Sequence, residues 1–107
     1  MEEIWSALAD PHRRAMLDVL RDRGCAVGEL GAALGMSQPM TSKHLRVLRE
    51  AGLVLVHKNA QQRIYAVNPE RMAELDAWLA PYRKLWNESL DALGQLLDQG
   101  RALDREI

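Results

Sequence analysis

Residues 28–52, GELGAALGMSQPMTSKHLRVLREAG, decide how the chain folds. Leu30 and Leu34 are spaced i, i+4 and share one helical face. Gly31, Ala32 and Ala33 are small enough to let a second helix approach. Gly35 suits a left-handed C-cap, Ser37 suits an N-cap, and Pro39 fits the first turn of a second helix. Thr41, Leu45 and Leu48 then form an inward stripe at i, i+4, i+7, with Pro39, Ser42, Lys43, Arg46 and Glu50 opposite. Gly52 stops this helix. Two short helices joined by a three-residue turn, the second with a polar-basic outer face, form a helix-turn-helix pattern. The same leucines also suit a plain αα-hairpin. Gln38, Ser42 and Lys43 at the exposed start of the second helix favour a helix that enters the DNA major groove.

Downstream the hydrophobic period changes. Leu53–Val56 and Arg63–Val67 are two β-rich runs, and His57–Gln62 between them makes a polar, basic hairpin tip. A helix-turn-helix over 28–51 followed by a hairpin over 53–67 predicts a winged helix, mainly α with one small β-hairpin. Lys58, Gln61, Gln62 and Arg63 would lie near phosphates if the tip follows the DNA backbone. The alternative is a solvated loop.

Charge follows the same division. The 107 residues carry a net charge of −1, yet residues 35–66 hold Lys43, Arg46, Arg49, Lys58 and Arg63 against Glu50 alone. The flanks, 1–34 and 67–107, are net acidic. Such a local footprint suits one nucleic-acid face. With 48% hydrophobic and 27% charged residues, the composition is that of an ordinary single domain.

Upstream, Glu2–Leu8 reads as a short helix bearing Ile4, Trp5 and Leu8. Asp10-Pro11 starts another, with Met16, Val19 and Leu20 inward, Gly24 ending it and Cys25-Ala26-Val27 as a connector. Asn68-Pro69 opens the last helical region, where Met72, Leu75, Trp78, Leu79, Leu85, Trp86, Leu90, Leu93 and Leu97 continue an apolar stripe. Pro81 is expected to kink or break it, Gly100 to end it and Arg101–Ile107 to fray. Trp78, Leu79, Tyr82, Trp86 and Leu90 exceed what a small core covers. With Trp5 and Leu8 they predict a homodimer interface built from helices at about 2–9 and 69–100. The competing expectation is that these groups pad a monomer core.

LADPHRRAMLDVL, VGELGAALGMSQPMTSKHLRVLREAGLV and RIYAVNP together resemble the ArsR-type winged-helix repressors of bacteria, over about residues 4–97. The tail AWLAPYRKLWNESLDAL resembles a subgroup without the usual metal ligands. The resemblance implies homodimers bridged by the first and last helices and binding to double-stranded operator DNA. It matches Gln38, Pro39, Ser42 and Lys43 to positions that reach bases, and Ser37, Thr41 and Arg46 to positions nearer phosphates.

Metal-responsive members of that family carry a Cys-x-Cys in the first helix of the motif, or His and carboxylate ligands on the last helix. Here the matching stretch is Ala26–Leu30, Cys25 lies one place outside it, and residues 68–107 contain neither His nor Cys. His12, His44 and His57 fall on separate elements, so no metal or other cofactor is expected. Cys25, without a resolving partner, reads as a structural residue. The sequence holds no phosphate loop, carboxylate pair or nucleophile elbow, and no enzyme is expected. MEEIWSALADPHRR has early acids and no long apolar run, which predicts a cytoplasmic protein without a leader and no membrane partner. Two other functions remain open: a winged-helix module that binds protein instead of DNA, and a small-molecule sensor with a pocket near Trp78, Tyr82 and Trp86.

Overall fold

The computed structural model describes residues 1–106, with side chains for 1–101. The elements are α1 (Glu2–Leu8), α2 (Pro11–Asp22), α3 (Val27–Leu34), α4 (Gln38–Glu50), β1 (Val54–Asn59), β2 (Gln62–Val67) and α5 (Pro69–Glu106). They fall into two units, Met1–Glu74 and the part of α5 from Leu75 onward.

In the first unit the helix ends follow from their capping residues. The Asp10 carboxylate accepts from the His12 N–H at 2.7 Å, and Ser37 Oγ accepts from the Met40 N–H at 3.3 Å. Gly35 (φ 64°) and Gly52 (φ 79°) adopt the left-handed conformation that ends α3 and α4. Arg13 donates to Ala7 O (2.7 Å) and Ser6 O (3.0 Å), and Arg14 to Leu8 O (2.7 Å), so the carbonyls at the end of α1 are satisfied by the start of α2. The core is Ile4, Met16, Leu20, Leu30, Leu45, Leu48, Leu53 and Val54, together with Cys25 and Thr41.

The close approach of α3 and α4 is made at Gly31. A Cβ there would lie 2.9 Å from Thr41 Oγ1 and 3.0 Å from Met36 O. Ala32 and Ala33, expected to share this role, face outward. Gly24 serves a different purpose from the helix stop expected of it. The helix already ends at Asp22, and a Cβ on Gly24 would meet Ile64 Cγ2 at 2.9 Å. Beside it Cys25 and Tyr65 exchange both backbone hydrogen bonds, at 3.0 and 2.8 Å, which ties β2 to the helical core.

β1 and β2 are antiparallel and pair from Val54↔Val67 to Asn59↔Gln62. The strands thus continue through His57–Asn59 and Gln62, which polarity had assigned to the tip. Ladder bonds are made by the backbone, so polar side chains do not end a strand. The base of the hairpin is closed by Asn68, whose N–H donates to Leu53 O (2.9 Å) and whose Nδ2 donates to Gly52 O (2.8 Å).

In the second unit the helix runs uninterrupted through Pro81 and Gly100 to Glu106, against the expected break and stop. Proline removes one backbone donor, and helix-forming residues continue on both sides of it. Arg83 spans the same turn, with Nη1 2.7 Å from the Asp76 carboxylate and Nη2 3.4 Å from its carbonyl. Arg101 therefore continues the helix, as does the backbone up to Glu106; Ile107 lies outside the described residues.

Only Ala60 and Gln61 remain between the strands, and Ala60 has φ 58°, a left-handed value that L side chains resist. Ala60→Gly is expected to stabilise the protein by about 1 kcal/mol, read by urea denaturation. A loss of stability would show that the turn holds no such strain.

Candidate nucleic-acid interface

The outward arc of α4 carries Gln38, Pro39, Ser42, Lys43, Arg46, Arg49 and Glu50, all exposed. Its inward arc buries Thr41, His44, Leu45 and Leu48. This arrangement corrects the expectation for Thr41. It is fully buried, and its hydroxyl donates to Ser37 O at 2.8 Å, so it does not face a phosphate. Ser37 is exposed, with its oxygen engaged as the N-cap. Lys58, Gln61, Gln62 and Arg63 are exposed on the hairpin.

The cations differ sharply in their partners. Arg13, Arg21, Arg71, Arg83 and Arg101 each pair with a carboxylate. Among the described residues, Lys43, Arg46, Arg49, Lys58 and Arg63 have neither an ion-pair nor a side-chain hydrogen-bond partner, as is also true of Arg23 and Lys84, which stand singly at the end of α2 and on α5. The positive segment seen in the sequence is therefore an un-neutralised surface on two adjoining elements. A separate cleft of about 360 Å³, between α1 and α4, is lined by Glu2, Glu3 and Glu50 and has the opposite sign.

The histidines are less scattered than the sequence suggests. His12 and His44 stack with ring centroids 5.8 Å apart, and one ligand atom from each of Asp10, His12 and His44 lies within 4.8 Å of the others. Sequence reasoning missed His44 as an inward residue because histidine reads as polar, although it lies three residues after Thr41 on the same stripe. This cluster does not fit a metal ion. Arg13 Nη1 is 3.3 Å from His44 Nδ1 and 3.7 Å from the Asp10 carboxylate, so a guanidinium already takes the positive position. The Cys25 thiol is buried and lies 3.6 Å from Arg23 O.

On α5, the expected interface residues Trp78, Tyr82, Trp86 and Leu90 are 46%, 54%, 67% and 53% exposed, and Leu79 is half-buried. With Leu85, Leu93, Leu96 and Leu97 they occupy about 140° of the helix at 100° per residue. Trp78 and Tyr82 lie against each other, with ring centroids 4.7 Å apart. In the first unit, Trp5 and Leu8 are half-buried.

A family profile described as a helix-turn-helix domain matches residues 8–57. The HTH-type transcriptional regulator Rv2034 of Mycobacterium tuberculosis is 37% identical over 97 residues, which cover 91% of this chain and 88% of that protein. The crystal structure of an ArsR family transcriptional regulator, RHA00566, superimposes with a TM-score of 0.69 at 36% identity, covering 80% of this chain and 94% of that one. The chain belongs to the ArsR family of winged helix-turn-helix transcriptional regulators. A further structural relative is the homodimeric winged helix-turn-helix DNA-binding domain Mb0332 from Mycobacterium bovis. It is 28% identical with a TM-score of 0.65, and the match covers 78% of this chain and 77% of that one. No helix among the described residues is long and apolar enough to cross a membrane.

Asp10 supplies a pH test of the site's support. Partial burial pushes its carboxyl up, but the His12 N–H bond and the charges of His44 and Arg13 outweigh this and hold it below the ordinary 3.8. A depressed carboxyl stabilises the fold above its unfolded-state value, and that stability is lost as pH falls through the folded value. Asn retains the capping oxygen without the charge. Asp10→Asn is thus expected to flatten the loss of stability below pH 3.8, followed by denaturant unfolding across pH. Identical acid limbs would contradict the assignment.

Proposed function

We propose that this ArsR-family chain acts as a homodimeric, sequence-specific DNA-binding regulator. Acting as a repressor, it blocks promoter access by occupying a palindromic operator. The carrying observation is the set of five unpaired cations on α4 and the hairpin. A protein interior would need such charges neutralised, whereas the phosphates of a duplex supply the counter-charge. In this reading α4 enters the major groove, Gln38, Pro39, Ser42 and Lys43 meet base edges, and Ser37, Arg46, Lys58, Gln61, Gln62 and Arg63 lie toward phosphates. Thr41 drops out of the contact set because it is buried. The winged helix-turn-helix forms one DNA-binding domain with its dimerisation helices at either end of the chain.

The exposed apolar face of α5 supports the dimer, since a patch of this size on a monomer marks an interface. Trp5 and Leu8 of α1 are assigned to the same contact. Two-fold symmetry would set two recognition helices about 34–36 Å apart, one turn of DNA. No catalytic role is assigned, and the protein would work in the cytoplasm. Control by metal through the family's usual ligand positions is not part of this proposal, because Ala26–Leu30 offers no thiolate and residues 68–107 no His or Cys.

Two variants test the reading. Gln38→Ala is expected to weaken binding to a selected site by ~1–3 kcal/mol and to relax preference at one base pair, measured by competition against mutated sites. Equal weakening toward random DNA would remove Gln38 from base reading. Trp86→Glu is expected to give a folded monomer by sedimentation, with gel-shift binding to the palindrome lost. A variant that still dimerises and binds normally would defeat the interface.

A further inference from the structure

Between α4 and β2 lies a cleft of about 240 Å³ lined by Ser42, Leu45, Arg46, Arg49, Arg63 and Tyr65. No carboxylate is among these residues. We propose that it is a phosphate seat, in which Arg46, Arg49 and Arg63 together take one phosphate group of the DNA backbone. The inference deepens, and rests on, the DNA-binding reading above, and it adds Arg49 and Tyr65 to the contact set.

The placement follows from two periodicities. Ser42, Arg46 and Arg49 are spaced i, i+4, i+7 along α4, and Arg63 and Tyr65 are spaced i, i+2 along β2, so each group shares a face of its element. Both walls are held firmly. Leu45 is buried beneath the helix wall, and the Tyr65 backbone is bonded in both directions to Cys25. Three arginines thus line one cleft from two walls whose backbones are fixed, which is what a preformed site requires.

Three like charges lining one cleft, with no carboxylate among them, repel one another at close range. An anion relieves that repulsion. Guanidinium forks match phosphate oxygens bidentately, and Ser42 and Tyr65, which carry hydroxyls, line the same cleft. The volume is below the ~300–1,000 Å³ of pockets for drug-sized ligands, and suits a phosphate with a few waters at ~30 Å³ each. One phosphate held by both the helix and the hairpin would lock α4 and the wing into a single register on the duplex. The same chemistry would accept a free phosphate.

The test uses the full-length chain and a duplex it selects from a random pool, with each backbone phosphate neutralised in turn as methylphosphonate. One phosphate per half-site is expected to cost the wild type about tenfold or more in affinity. Arg46→Ala, Arg49→Ala and Arg63→Ala are each expected to cost a similar factor, and neutralising that same phosphate should then cost them less than twofold more. Costs that multiply, or three arginines that map to three separate phosphates, would overturn the seat. Arg49→Lys keeps the charge with little risk to folding and is expected to retain the salt dependence while losing most of the phosphate-specific effect; full affinity in this variant would also overturn the seat. Free inorganic phosphate, added against chloride at constant ionic strength, separates the sources. Shifts in the Nε–Hε NMR signals of Arg46, Arg49 and Arg63 mean that the seat also takes free phosphate, and silence with the duplex result intact assigns it to DNA alone. If no duplex is selected, the DNA-binding reading fails by itself; the seat then survives as a free-phosphate site if these signals shift, and falls if they do not.

Discussion

The contact between Gly31 and Thr41 is the constraint on which the proposed DNA-facing surface depends. With no side chain on Gly31, α4 comes close enough for Thr41 Oγ1 to lie 2.9 Å from where a Cβ would stand. That hydroxyl, on a fully buried residue, donates to Ser37 O one turn back. The contact fixes the rotation of α4 about its axis. Once Thr41, Leu45 and Leu48 point inward, Gln38, Ser42, Lys43, Arg46 and Arg49 have no choice but to point out. The proposed interface is thus a consequence of core packing at its back.

A second set of contacts holds the hairpin to this helix. Asn68 joins the end of β2 to Gly52 and Leu53, Arg71 Nε donates to Ala51 O at 3.0 Å, and Cys25 pairs with Tyr65. These bonds are made by three residues, Asn68, Arg71 and Cys25, and all act on the hairpin or its base. The wing is a two-stranded ribbon, which in isolation would be only marginally stable in water. Its anchoring is what gives Arg63 and Tyr65 a defined place beside α4.

Much of this was legible in the sequence because it is local. Asp10, Ser37 and Asn68 read as caps, Gly35 and Gly52 as helix ends, and each does what its chemistry dictates. Several readings that failed involved partners distant in sequence. Nothing near His44 indicates that Arg13, thirty-one residues earlier, will lie beside its ring. Gly24 looks like a helix stop until β2 is placed against it. Pro81 signals a kink or a break in a local reading, and the helix nonetheless runs on through it, with Arg83 reaching back across it to Asp76. The basic surface was visible as charge, but the cleft with Arg49 needed the strand beside the helix. The apolar stripe of α5 was equally visible, and the burial of its tryptophans is the part the single chain leaves to a second copy in the proposed dimer.

The central claim is that the outward arc of α4 and the hairpin meet duplex DNA as one surface. Mapping backbone amide shifts of the labelled protein on addition of a short duplex tests it most directly. The account predicts changes concentrated in Ser37–Glu50 and His57–Tyr65, with the acidic cleft at Glu2, Glu3 and Ser6 unaffected. Changes centred on that acidic cleft, or none along α4, would contradict it.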